Sequence, residues 1–147
     1  MIRLSKLTDY AIVLMVQSAR SGGTRTARQL AEETRLPLPT VGKVLKVLSR
    51  HDFLISTRGV RGGYALGRAA EDICMAELIE ALEGPIALTE CSSAPSESGC
   101  SHEAHCPTRQ PWLHINDVVR GALADVRLAD MVSPSKPQMW GLSLIHI

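Results

Sequence analysis

Apolar residues along this chain recur mostly at helical spacing. Over Ser5–Arg20, Leu7, Ala11, Leu14 or Met15, and Ser18 or Ala19 fall on one face, with Ser5 placed as an N-cap and Gly22-Gly23 as the stop. The next segment, TARQLAEET, sets Thr26 three residues before Gln29, the spacing of a capping box, and offers Ala27, Leu30 and Ala31 as its inner face. RLPLP reads as a turn, because each proline biases the residue before it away from the helical region. A third helix is expected in TVGKVLKVLSRH, with Val41, Val44, Leu45 and Leu48 inward and Lys43, Lys46 and Arg50 on or near the other side.

The period then changes. FLIST, RGVRGG and YALG read as a strand, a glycine-rich tip bearing Arg58 and Arg61, and a second strand. Two short helices, a tight turn and a further helix, followed by such a hairpin, spell a winged helix-turn-helix. Ala31, Leu36, Val41 and Val44 stand where that motif needs one small residue and three packing residues.

Asp72 is placed as the cap of a helix through ICMAELIEALEG, closed by Gly84-Pro85, with Cys74 as a small core residue at its start. PWLHINDVVRGALADVRLADM continues the helical pattern, and Trp112, Ile115, Val119, Ala122 and Val126 form its stripe. Such a stripe must be buried against something. A homodimer through the 111–126 helix is expected, with packing inside one chain as the alternative.

The expected fold is therefore mainly α with a small β-hairpin wing. Residues 1–68 form the DNA-binding domain, and 69–133 the connecting helix, a loop (91–106) and a long dimerisation helix. Residues 134–147 are expected to be a disordered or artefactual tail, since WGLSLIHI resembles translated sequencing-adapter sequence.

Composition sharpens this. Aromatic residues are only 3% against 45% hydrophobic overall, so the core must be aliphatic and helices are favoured. The net charge of +1 hides an asymmetry: residues 1–68 carry 12 Lys+Arg against 4 Asp+Glu, and residues 69–147 carry 4 against 11. A basic half seeks a polyanion. Double-stranded DNA with a pseudo-palindromic operator is the expected partner. Thr40, Lys43 and Lys46 would meet the major groove, Arg58 and Arg61 the minor groove, and Arg3 and Lys6 the phosphates.

No membrane span is expected, and Ala11–Val16 beside Asp9 is too short for a secretory leader. A cytoplasmic location with reduced thiols follows as the expectation. No C-x-x-C and no nucleophile–base arrangement is visible, so an enzyme is not expected.

The remaining chemistry lies in residues 91–106, CSSAPSESGCSHEAHC, which have no hydrophobic period. Three thiols on such a loop suit a soft metal or a cluster. Neither interval is the C-x2-C of a strong zinc signal. An iron–sulfur cluster, zinc, redox thiols and no role all remain open on spacing alone.

Taken together, RLSKLTDYAIVLM, the LAEET–LP–PTV–KVLKVL core, RGVRGGYALGR, AELIEALEGPIALTEC and the later C-x5-CP…W…I…V…L.DV.LADM resemble IscR/NsrR/SufR-type regulators over about residues 1–133. These are dimeric winged-helix regulators that sense iron–sulfur status, redox stress or nitric oxide. The likeness is greatest to the branch that controls the Suf iron–sulfur assembly operon. It implies a repressor of cluster-assembly genes holding an iron–sulfur cluster, 2Fe-2S favoured over 4Fe-4S, on Cys91, Cys100 and Cys106.

The first interval here, C-x8-C, is longer than the C-x5-C of IscR-type relatives, and Arg109 replaces their ligand His three residues after the last Cys. Arginine cannot ligate. By likeness to nitric-oxide-sensing relatives the fourth ligand is the partner subunit's Asp9, with His102 and His105 as nearer alternatives. The rival readings are a metal-free thiol-switch repressor of the same fold and, from another class, a small thiol oxidoreductase or metal carrier.

Overall fold

Ser5 ends an extended segment and starts the first helix, its Oγ accepting the Thr8 N–H at 3.2 Å. The computed structural model describes residues 2–93 and 100–133. Their helices are α1 (Lys6–Ser21), α2 (Ala27–Thr34), α3 (Leu38–Arg50), α4 (Met75–Glu83), α5 (Arg109–Asp125) and α6 (Leu128–Val132). One hairpin, β1 (Leu54–Thr57) with β2 (Gly63–Leu66), lies between α3 and α4.

Local signals act as expected at the start of the chain. Thr26 and Gln29 make both bonds of the capping box, at 3.1 and 2.9 Å. Helix α3, however, begins at Leu38 and not at Thr40, with Pro37 as N-cap and Pro39 in the first turn. The first N–H groups of a helix have no partner inside it, so a proline there removes nothing and presets φ. Val41, Val44, Leu45 and Leu48 are all fully buried.

The hairpin is antiparallel, pairing Leu54 with Leu66 and Thr57 with Gly63, and its tip is closed by the Gly62 N–H to the Gly59 carbonyl at 3.0 Å. A third partner appears that periodicity did not reveal. Arg25, between α1 and α2, exchanges two backbone bonds with Tyr64 at 2.8 and 2.7 Å. This clamps the wing base to the loop before α2. Gly63 sits at φ +148°, and a Cβ there would lie 2.5 Å from the Arg25 carbonyl oxygen.

The buried cluster joins Leu14, Leu30, Leu45, Leu48 and Phe53 to Ile73, Leu78 and Leu128 from the later segments. Two local expectations change as a result. Cys74, not Asp72, caps α4: its Sγ accepts the Glu77 N–H at 3.4 Å, and Asp72 ends a short 3-10 turn. The reason is tertiary, because Ile73 is drawn fully into the core and stays extended.

The long C-terminal pattern also breaks after Asp125. Val126 is extended and accepts the Met75 N–H at 2.9 Å, while Leu128 donates to the Ile73 carbonyl at 2.8 Å. This backbone pairing pulls Val126 out of the helix and starts α6, which packs on α1. The expected stripe is split too: Val119 turns inward beside half-buried Leu113 and Leu123, whereas Trp112 (39% exposed), Ile115 (42%) and Val118 (57%) face out.

Candidate nucleic-acid interface and thiol loop

Helix α3 is amphipathic, so burying its valines and leucines turns the opposite face to solvent. Pro39, Gly42, Lys43, Lys46, Val47 and Arg50 line a shallow hollow of about 400 Å³ along that face. Thr40 is half-buried at its start. Arg58, Val60 and Arg61 are exposed at the wing tip. Arg3 and Lys6 are exposed on the N-terminal segment and the first turn of α1, and neither lines the α3 hollow.

Among the described residues, these cations have no carboxylate partners: Lys43, Lys46, Arg50, Arg58 and Arg61 make no ion pair. By contrast, Arg68, Arg109 and Arg120 are each held by a glutamate of the acidic half, at 2.6 Å by Glu77, 2.7 Å by Glu103 and 2.7 Å by Glu80. Free cations on one helix face and one hairpin tip suit phosphate contact, since none must first leave a carboxylate.

The thiol segment is divided between two places. Cys91 lies half-buried in the turn Glu90–Ser92, its Sγ 3.2 Å from the Thr89 hydroxyl. Cys100 and Cys106 line an open hollow of about 650 Å³ with Glu103, Arg109 and Gln110 in its wall, and Cys91 does not reach it. His102 and His105 are exposed outside that hollow, and Asp9 is exposed on the first turn of α1. Among the described residues no three His, Cys, Asp or Glu side chains gather closely enough to hold a metal.

The donor chemistry nonetheless fits a thiolate-bound centre. Cys91, Cys100 and Cys106 are all free and half-buried. The Cys106 thiol is pulled below its ordinary range, first by the Thr108 hydroxyl at 3.3 Å, then by the N–H groups of Thr108 and Arg109 and by the Arg109 charge. Arg109 itself is engaged, its Nε and terminal nitrogen meeting Glu103 Oε1 at 2.9 and 2.7 Å.

One polar residue of this region went unnoticed in the sequence. Asn116, on α5, is 6% exposed and bonds the 86–88 backbone. A polar residue on the inner face of a helical pattern, between Leu113 and Val119, was the available signal.

No helix of the described residues is long and apolar enough to cross a membrane. A family model, Rrf2, described as an iron-dependent transcriptional regulator, matches residues 4–134. The HTH-type transcriptional regulator IscR of Photorhabdus laumondii is 27% identical over 134 residues, covering 90% of this chain and 80% of that protein. Among solved structures, CymR (YrzC), the global cysteine regulator of B. subtilis, has a TM-score of 0.73 at 26% identity, covering 92% of this chain and 100% of that one. The IscR of T. potens has a TM-score of 0.67 at 25% identity, covering 92% and 89%.

Proposed function

The chain belongs to the Rrf2 family of transcriptional regulators, and from that premise we propose that it is a cytoplasmic, homodimeric repressor of iron–sulfur assembly genes that senses cluster or redox state through Cys91, Cys100 and Cys106. It is a DNA-binding transcriptional regulator of the winged-helix kind and not an enzyme.

The observation that carries the proposal is a division of labour by charge and chemistry. Cations without ion pairs stand on α3 and the wing, and three of the four free thiols stand on the arm that follows α4. Lys43 and Lys46, with Thr40 beside them, enter the major groove. Arg58 and Arg61 reach the minor groove, and Arg3 and Lys6 hold phosphates. The outward face of α5, with Trp112, Ile115 and Val118, is covered by the same helix of a second subunit. That twofold matches a pseudo-palindromic operator.

An iron–sulfur cluster, when bound, supplies a redox-active centre whose charge depends on its oxidation state. Cys91, Cys100 and Cys106 would hold it, with the partner subunit's Asp9, or His102 or His105, completing the set. Thr108 and Arg109 lower the Cys106 pKa and so favour thiolate, the form that ligates. The partner subunit's Asp9 would tie the thiol arm to the other subunit's first helix, against which α3 packs.

Anaerobic purification with iron and acid-labile sulfide analysis tests this. Near-stoichiometric iron and sulfide are expected in the wild type and are lost in Cys91→Ala and Cys106→Ala, with a changed operator affinity. A Cys91→Ala protein with full cluster and unchanged DNA response would overturn it. A second reading, the metal-free thiol switch, is favoured by Cys100 and Cys106 opening onto one hollow. It predicts colourless protein whose DNA affinity follows a disulfide.

A further inference from the structure

Asn116 is the buried residue of α5, with half-buried Leu113 and Val119 one turn away on either side. A carboxamide in such a place is costly unless every polar atom is paired. Here both are. Its Oδ1 accepts the Leu88 N–H at 3.0 Å, and its Nδ2 donates to the Ile86 carbonyl at 3.0 Å. The side chain thereby gives residues 86–88 the two bonds that a neighbouring strand would give.

Helix α5 also packs on the Glu90–Ser92 turn, but no other hydrogen bond replaces this clamp. Among the described residues, these are the only hydrogen bonds from 85–93 to another element; Ser92 and Ser93 donate back to Thr89 and Glu90 within the segment. Cys91 follows Leu88 by three residues, and Cys106 precedes the first residue of α5, Arg109, by three. One side chain therefore joins the segment leading to Cys91 to the helix entered from Cys106.

We infer that Asn116 is the positioning residue of the thiol arm: by holding Ile86 and Leu88 it sets where Cys91 stands relative to Cys106, and so the thiolate set offered to a soft metal. The inference rests on the proposed role of Cys91 as a working thiol. A purely structural Asn116, replaced by leucine, would cost stability because the Leu88 N–H and the Ile86 carbonyl lose their partner, but it would leave the number of thiolates offered to a metal unchanged.

The test uses the reduced, metal-free full chain titrated with cobalt(II), whose thiolate charge-transfer band counts sulfur ligands. Wild type, Cys91→Ser, Asn116→Leu and Asn116→Asp are compared, with amide exchange over 86–93 measured alongside. Asn116→Leu is expected to lower the band to the Cys91→Ser level and to weaken cobalt binding about tenfold or more, as loss of an outer support does at metal sites. Asn116→Asp, which keeps the acceptor for Leu88 but loses the donor to Ile86, is expected to fall between. Exchange should rise over 86–93 and stay slow in the middle of α5.

If Asn116→Leu binds cobalt with the wild-type band and affinity while Cys91→Ser does not, the positioning role is overturned and the thiol reading stands. If Cys91→Ser and wild type are identical, Cys91 is no ligand and both fall.

Discussion

Glu83, at the end of α4, accepts two hydrogen bonds from the start of α1: Thr8 Oγ1 at 2.6 Å and the Ser5 N–H at 2.7 Å. The carboxylate stands where a helix N-terminus favours negative charge. Its pKa lies below the usual carboxylate range, first because of the Thr8 hydroxyl and then because of the Ser5 N–H. A carboxyl with a depressed folded pKa adds stability that is complete above its unfolded value of about 4.3 and is lost as pH falls through the folded one. Glu83→Gln should therefore melt a few degrees below wild type at pH 7, with the gap closing as pH drops below about 4. The carboxylate is exposed, so screening keeps the effect small. Melting curves across that range decide it; a gap that widens in acid contradicts the account.

Cys106 should be the thiol whose reactivity answers to Thr108. With the hydroxyl at 3.3 Å favouring thiolate, alkylation of Cys106 is expected to reach half its maximum rate below the ordinary thiol value of about 8.5. Thr108→Val should move that midpoint up towards it. Peptide-resolved alkylation against pH measures both, and an unmoved midpoint in Thr108→Val would refute the role of the hydroxyl.

Lys43→Ala combined with Lys46→Ala should leave folding almost untouched, within about 0.5 kcal/mol, because both side chains are exposed and unpaired. Operator affinity should fall, and the slope of log affinity against log salt should flatten by about 1 for each phosphate contact removed. Anisotropy titrations at several salt concentrations provide the slope. A slope equal to wild type would mean that neither lysine neutralises a phosphate, and an operator affinity equal to wild type would remove both from the interface.

Leu128→Ala should cost about 2–5 kcal/mol, the range for a fully buried leucine. Leu128 sits in the same cluster as Leu14 and Leu45, and its N–H bonds the Ile73 carbonyl at 2.8 Å. Denaturant unfolding monitored in α1 and in α6 should shift together. Separate transitions would mean that α6 is an appendage and not part of the core.

Much of the fold of the basic half was legible because its signals are local. Ser5 and the Thr26–Gln29 pair announce helix starts within one turn, Val41, Val44, Leu45 and Leu48 repeat at 3.6 residues, and the tip glycines mark a hairpin. Each needs only its own neighbours in sequence. The reading of the cysteines as soft ligands rests on residue type alone and remains a proposal.

The remainder was set by partners distant in the chain. Arg25 clamps Tyr64, Ile73 holds Leu128 and so breaks the C-terminal helix near Val126, and Asn116 grips Ile86 and Leu88. A helical period reveals that a face is apolar, but not which of two apolar faces the chain itself covers; hence Val119 turns in while Trp112 and Ile115 stay out. Likewise the spacing of Cys91, Cys100 and Cys106 is written in the sequence, whereas their division between the Thr89 turn and the Arg109 hollow is not. Backbone hydrogen bonds and burial choose partners by what folding brings near, and that choice exists only once the segments have met.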